Sequence, residues 1–140
     1  MRDADGQSRT FRGTPKDISA ADAWIEEVGR YWGIAERTTF HARVCVAEIA
    51  ANLFEHGSPP PAEFAITLHR RGDGLDVEII DSGRPFDLPA APEQELPRSL
   101  ESAQIGGLGL HLVRSYAEDM TYWHDGVYNR LRLHLSAAGP

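Results

Sequence analysis

Glu48, Asn52 and His56 stand at four-residue intervals in "VAEIAANLFEHG", Val46 to Gly57. A carboxylate can take a proton, an amide oxygen can hold a hard cation, and an imidazole can take a proton or ligate a metal. At helical spacing the three lie one above another on one side, in a sector shared with His41, Cys45 and Glu55. A second stripe, Phe40, Val44, Ala47, Ala51 and Phe54, is apolar, and Val46, Ile49, Ala50 and Leu53 fall on other sides. The helix is thus apolar around most of its girth and is expected to be largely buried. A buried carboxylate is costly unless paired or placed at a site. The alternative is the solvated edge of an ordinary amphipathic helix, and on this helix alone the two readings stand level.

Two glycine motifs add to the chemistry. In "LDVEIIDSGRPF", Leu75, Val77 and Ile79 share one strand face by alternation, and Asp81 falls on that face just before Gly83. An ionised carboxylate only accepts hydrogen bonds, so a ligand amino group suits it. An aspartate opening a turn is the competing reading. "GGLGLHLV" places Gly106, Gly107 and Gly109 at a helix start, where free N–H groups and the helix dipole favour an anion. It is neither a Walker A loop nor a dinucleotide fingerprint, because no Gly-Lys-Ser/Thr follows and no strand leads directly into it.

The elements that must position these residues follow from periodicity. "SRTFRGT" is expected as an edge strand. "ISAADAWIEEVGRYWG" repeats Ala21, Trp24, Ile25, Val28 and Tyr31 at helical spacing, with Ser19 as N-cap and Gly33 as stop. A second helix is expected over Thr39 to Glu55. "EFAITLHRR" and "LDVEIID" alternate around "GDG", a hairpin signal. A third helix follows the glycine turn, and "MTYWHDGVYNRLRLHL" supplies two more strands. The order β-α-α-β-β-α-β-β predicts an α+β domain in two layers, a mixed, mostly antiparallel sheet covered by helices. Residues 84–105 carry four prolines and no regular pattern. They are expected to form a lid, with a solvated insertion as the alternative.

Composition sets the outer bounds. The chain has 140 residues, 41% hydrophobic and 25% charged, which fits one globular domain over residues 1–140. Residues 1–14 are expected to combine the edge strand with a flexible N-terminus. The net charge of -7 argues against non-specific nucleic-acid binding. Cys45 is the single cysteine, so neither an internal disulfide nor a cysteine zinc cluster can form. With no apolar run of membrane-spanning length and no signal-peptide pattern, a cytoplasmic chain is expected. Lys16 is the one lysine and lies far from the glycine motifs.

Three of these motifs, in this order, resemble the ATP-binding domain shared by DNA gyrase, Hsp90, histidine kinases and MutL. "VAEIAANLFEHG" is similar to its N-box, "DSGRPFD" to its first glycine box and "GGLGLHLV" to its second. The likeness spans about Ile18 to Leu135 and is strongest to the small anti-sigma-factor serine kinases. It implies the Bergerat ATP-binding fold, with ATP and Mg²⁺ as cofactors. It also implies a role for each matching residue. Asn52 would hold Mg²⁺ on the phosphates. Glu48 would be the general base for a serine hydroxyl. Asp81 would accept from adenine N6, and Gly83 would let the backbone approach the base. Gly107, Leu108 and Gly109 would hold the phosphates through backbone N–H groups. His56 would be structural. Arg84, Arg98 and Arg114 are candidates for the γ-phosphate cation by proximity. Pro85 departs from the pattern where the first box has its second glycine. The implied partners are a STAS-domain anti-anti-sigma factor, a sigma factor and a second copy of the chain, with no direct nucleic-acid or membrane contact. A kinase that phosphorylates the STAS partner and sequesters the sigma factor is one reading. A non-catalytic, nucleotide-dependent binding module is the other, and retention of Glu48 favours the kinase.

Overall fold

The computed structural model describes residues 6–55, 61–83 and 112–136. Strand β1 (Gly6–Arg12) leads into helices α1 (Pro15–Tyr31) and α2 (Glu36–Glu55). The hairpin β2 (Glu63–Arg71) and β3 (Gly74–Asp81) follows, and β4 (Asp119–His124) and β5 (Asn129–Leu135) close the chain. Residues 112–116 are helical.

α1 starts earlier than its apolar repeat suggests. Thr14, in extended conformation, caps it by accepting from the Asp17 N–H at 3.2 Å. The Asp17 carboxylate reaches back past the cap to the Arg12 N–H at 2.6 Å and ties the end of β1 to the helix start. Pro15 fits the first helical position because its missing N–H would have no helical partner there. The expected cap, Ser19, lies inside the helix. Gly33 does stop it: at φ +67 it lets the Gly33 N–H reach the Arg30 carbonyl and the Ile34 N–H reach the Gly29 carbonyl, a Schellman closure.

α2 begins three residues before the expected Thr39, and its core face is not the expected one. Ala42, Cys45, Val46, Ile49 and Ala50 are buried, whereas Phe40 is 51% exposed and Ala47 is exposed. Cys45 therefore belongs to the core and not to the polar sector. An all-round apolar helix leaves periodicity undecided. The bulky centre formed by Val46 and Ile49 packs inward, while the stripe predicted from sequence has only alanines at its centre. Arg43 forks onto Asp22 at 3.0 and 2.9 Å and ties α2 to α1.

The strand order is β1-β2-β3-β5-β4, with all four pairings antiparallel. Phe64, Ile66 and Leu68 of β2 turn inward with Leu75, Val77 and Ile79 of β3 and Leu131, Leu133 and Leu135 of β5. Each contributes about 1.5–3 kcal/mol by leaving water, which makes this face the main apolar reservoir. α1 and α2 cover it. The opposite face is polar: Glu78 accepts from Arg130 at 3.0 Å and Arg132 at 2.9 Å. The two-layer α+β expectation is met, with β1 placed two residues earlier than expected. Among the described residues, no helix is long and apolar enough to cross a membrane.

Candidate functional site

Alternation along β3 carries Asp81 to the strand end on the core face, where it is 6% exposed. Its cross-strand neighbours are Phe64 on β2 and Asn129 on β5. The Asp81 Oδ1 accepts from the Gly83 N–H at 2.8 Å and from the Asn129 amide at 3.2 Å. The same amide nitrogen donates to the Gly83 carbonyl at 3.0 Å, and the Tyr122 hydroxyl donates to the Asn129 Oδ1. Oδ1 thus closes the turn, and among the described residues Oδ2 is the acceptor that remains. The turn reading of Asp81 holds for Oδ1.

Gly83 is required by space. Its φ is not positive, but a Cβ there would lie 2.8 Å from the Asp81 Oδ1. Any side chain would push the carboxylate away from the N–H that holds it.

Glu48 and Asn52 occupy adjacent turns of α2 and are half-buried. The Asn52 Nδ2 donates to the Glu48 backbone carbonyl at 3.1 Å. Only the nitrogen can make that bond, so the amide oxygen is the atom presented outward. An oxygen donor of this kind suits Mg²⁺, which takes few protein ligands when phosphates and water supply the rest. Burial, and secondarily the charge of Glu48, pushes the Cys45 thiol up to about 12.

Two ring contacts place α2. Phe54 lies 5.3 Å from Phe64, the neighbour of Asp81. The last turns of α2 therefore stand over the strand end that carries Asp81. On the flank shared with Glu48 and Asn52, His41 stacks on Tyr116 at 4.0 Å with the rings 5° from parallel. That is the flank where the chain returns after the second glycine motif. Burial, then the positive charge of Arg37, lowers the His41 pKa.

The fold therefore brings the Asp81–Gly83 corner to the same end of the molecule as the Glu48–Asn52 turns. Arg114 is half-buried in the helical segment. Gly107, Leu108, Gly109, His56, Arg84, Arg98 and the expected lid at 84–105 lie outside the described residues. Sequence reasoning missed Asn129 and Tyr122. The signal for Asn129 was present: in "NRLRLHL" it shares the face of Leu131, Leu133 and Leu135, an amide on a core face directly opposite Asp81.

The chain belongs to the family described as the histidine kinase-like ATPase domain, whose profile matches residues 11–135. It is 31% identical over 119 residues to the serine/threonine-protein kinase BtrW of Bordetella bronchiseptica, covering 82% of this chain and 84% of that protein. It is 29% identical over 105 residues to the serine-protein kinase RsbW of Listeria innocua, covering 66% and 67% respectively. Among solved structures, one containing the RsbU and RsbW domains of a Mycobacterium tuberculosis protein superposes with a TM-score of 0.64 at 14% identity. That match covers 93% of this chain and 32% of the other and establishes likeness of fold.

Proposed function

We propose that the chain is an ATP-dependent protein serine kinase that also acts as an anti-sigma factor. In this reading it phosphorylates a serine on a STAS-type anti-anti-sigma partner and sequesters a sigma factor, the two partners exchanging with phosphorylation state. The observation that carries the nucleotide part is the Asp81 corner: a buried carboxylate with one oxygen locked into its turn and one left for a donor. Adenine N6 supplies such a donor, and Gly83 leaves room for the base. The names of the similar proteins support the serine-kinase part.

Asn52, with its nitrogen bonded to the helix, would offer its oxygen to Mg²⁺. The ion, when bound, would neutralise phosphate charge. Glu48, one turn away, would take the proton of the attacking serine hydroxyl. Gly107, Leu108 and Gly109 would hold the phosphates with backbone N–H groups, an assignment that rests on their sequence pattern. Phosphoryl transfer demands positioning above all, and two residues fixed on one helix provide it. We place the protein in the cytoplasm as a homodimer, without direct nucleic-acid contact. The test is incubation with γ-labelled ATP, Mg²⁺ and a STAS protein encoded nearby. Label on a serine of the partner supports the reading, and label on neither protein with intact ATP binding contradicts it.

A further inference from the structure

The bonds around Asp81 are directional, and two residues outside the three motifs set the direction. Asn129 is 5% exposed. Its amide nitrogen has two hydrogens, and among the described residues the Asp81 Oδ1 at 3.2 Å and the Gly83 carbonyl at 3.0 Å accept from it. Neither acceptor can bond the amide oxygen, so chemistry fixes which way the amide points. On its far side the amide oxygen receives the Tyr122 hydroxyl. Tyr122 pairs with Leu131 and His124 pairs with Asn129, so Tyr122 reaches Asn129 diagonally across the same sheet face. A turned amide would set its oxygen against the Asp81 carboxylate and leave the Tyr122 hydroxyl without this acceptor.

We propose that Tyr122 and Asn129 are positioning residues that set the base specificity of the nucleotide site. They hold the Asp81 Oδ1 in the turn, which fixes the direction of Oδ2. A fixed single acceptor matches the 6-amino group of adenine. A 6-oxo purine presents an acceptor at position 6 and its donor at N1, one ring atom away. A carboxylate free to swivel could follow that donor, and a clamped one cannot. The inference rests on the reading of Asp81 as the base-recognising residue.

The test measures binding of ATP, inosine triphosphate and purine riboside triphosphate by calorimetry, in wild type, Tyr122→Phe and Asn129→Leu. Thermal melting of each variant checks folding. In the wild type ATP binds more tightly than both analogues. Tyr122→Phe removes the hydroxyl's bond to the Asn129 Oδ1, and the ATP-to-inosine-triphosphate preference falls about 3–10-fold, with inosine triphosphate affinity held or raised. Asn129→Leu frees Oδ1 from its side-chain donor, and the preference falls further. Equal losses for both nucleotides, or an unchanged preference in two folded variants, overturn the inference while leaving the Asp81 reading intact. A wild type that does not distinguish ATP from purine riboside triphosphate overturns the Asp81 reading, and the inference with it.

Discussion

Replacing Gly83 by alanine tests whether the Asp81 corner reads the base, because the collision is specific. The new Cβ would sit 2.8 Å from the Asp81 Oδ1, closer than carbon and oxygen tolerate without movement. The backbone there is held by the Asn129 amide on the Gly83 carbonyl, so the carboxylate is the part that yields. Its rotation breaks the 2.8 Å bond from the Gly83 N–H and turns Oδ2 away from the ligand. The first loss falls on folding stability and the second on affinity. A hydrogen bond to a charged group is worth about 1.5–3 kcal/mol, so Mg·ATP should bind about 10–150-fold more weakly. Calorimetric titration measures this, and urea denaturation separates the stability loss. Wild-type ATP affinity in a folded Gly83→Ala protein would refute the reasoning.

Other perturbations probe neighbouring parts of the account. Asp81→Asn should weaken ATP by about 2–4 kcal/mol. The Gly83 and Asn129 donors hold the oxygen of the new amide and so turn its nitrogen toward the amino group of the base, as titration with ATP would reveal. Cys45, with its thiol pushed up to about 12 by burial, should resist a thiol-specific disulfide reagent in the native protein and react only after unfolding. The lowered His41 pKa has a definite sign in stability. The unfolded chain binds the proton more readily, so stability should fall as pH drops through about 6.5 toward the folded value. His41→Phe, which keeps a ring against Tyr116, should flatten that dependence in denaturation at pH 5 and 7.5.

The sheet hairpin was legible because one buried face forces strict alternation. Leu75, Val77 and Ile79 mark the core side, and Asp81 follows by parity. The same rule would have found Asn129, whose strand alternates equally well. No glycine motif flanks Asn129, so alternation is the single local sign that marks it. α2 was legible as a helix but not in rotation. With apolar residues on nearly every side, Phe40 and Ile49 are equivalent to a periodicity argument, and tertiary packing alone chose Ile49. The start of α1 was hidden for a different reason. The Thr14–Asp17 cap precedes the apolar repeat, and Ser19 is the capping-type residue that stands nearer to Ala21 and Trp24. The pairing of β3 with β5 ahead of β4 left no local mark, since it depends on contacts distant in sequence. That Glu48 and Asn52 share a flank of α2 was legible because helical spacing survives any rotation of the helix.

That spacing also supplies the most direct test of the central claim, that one turn of α2 divides base from metal ligand. Transfer of labelled phosphate from Mg·ATP to a STAS partner should be measured in wild type, Glu48→Gln and Asn52→Ala, with nucleotide affinity alongside. Glu48→Gln should keep Mg·ATP affinity near wild type while transfer falls by about 10²–10⁴-fold, the usual contribution of a general base. Asn52→Ala should lose both affinity and transfer. Transfer at the wild-type rate in Glu48→Gln would contradict the assignment of Glu48. A wild type that holds a sigma factor and transfers no phosphate would contradict the kinase reading as a whole.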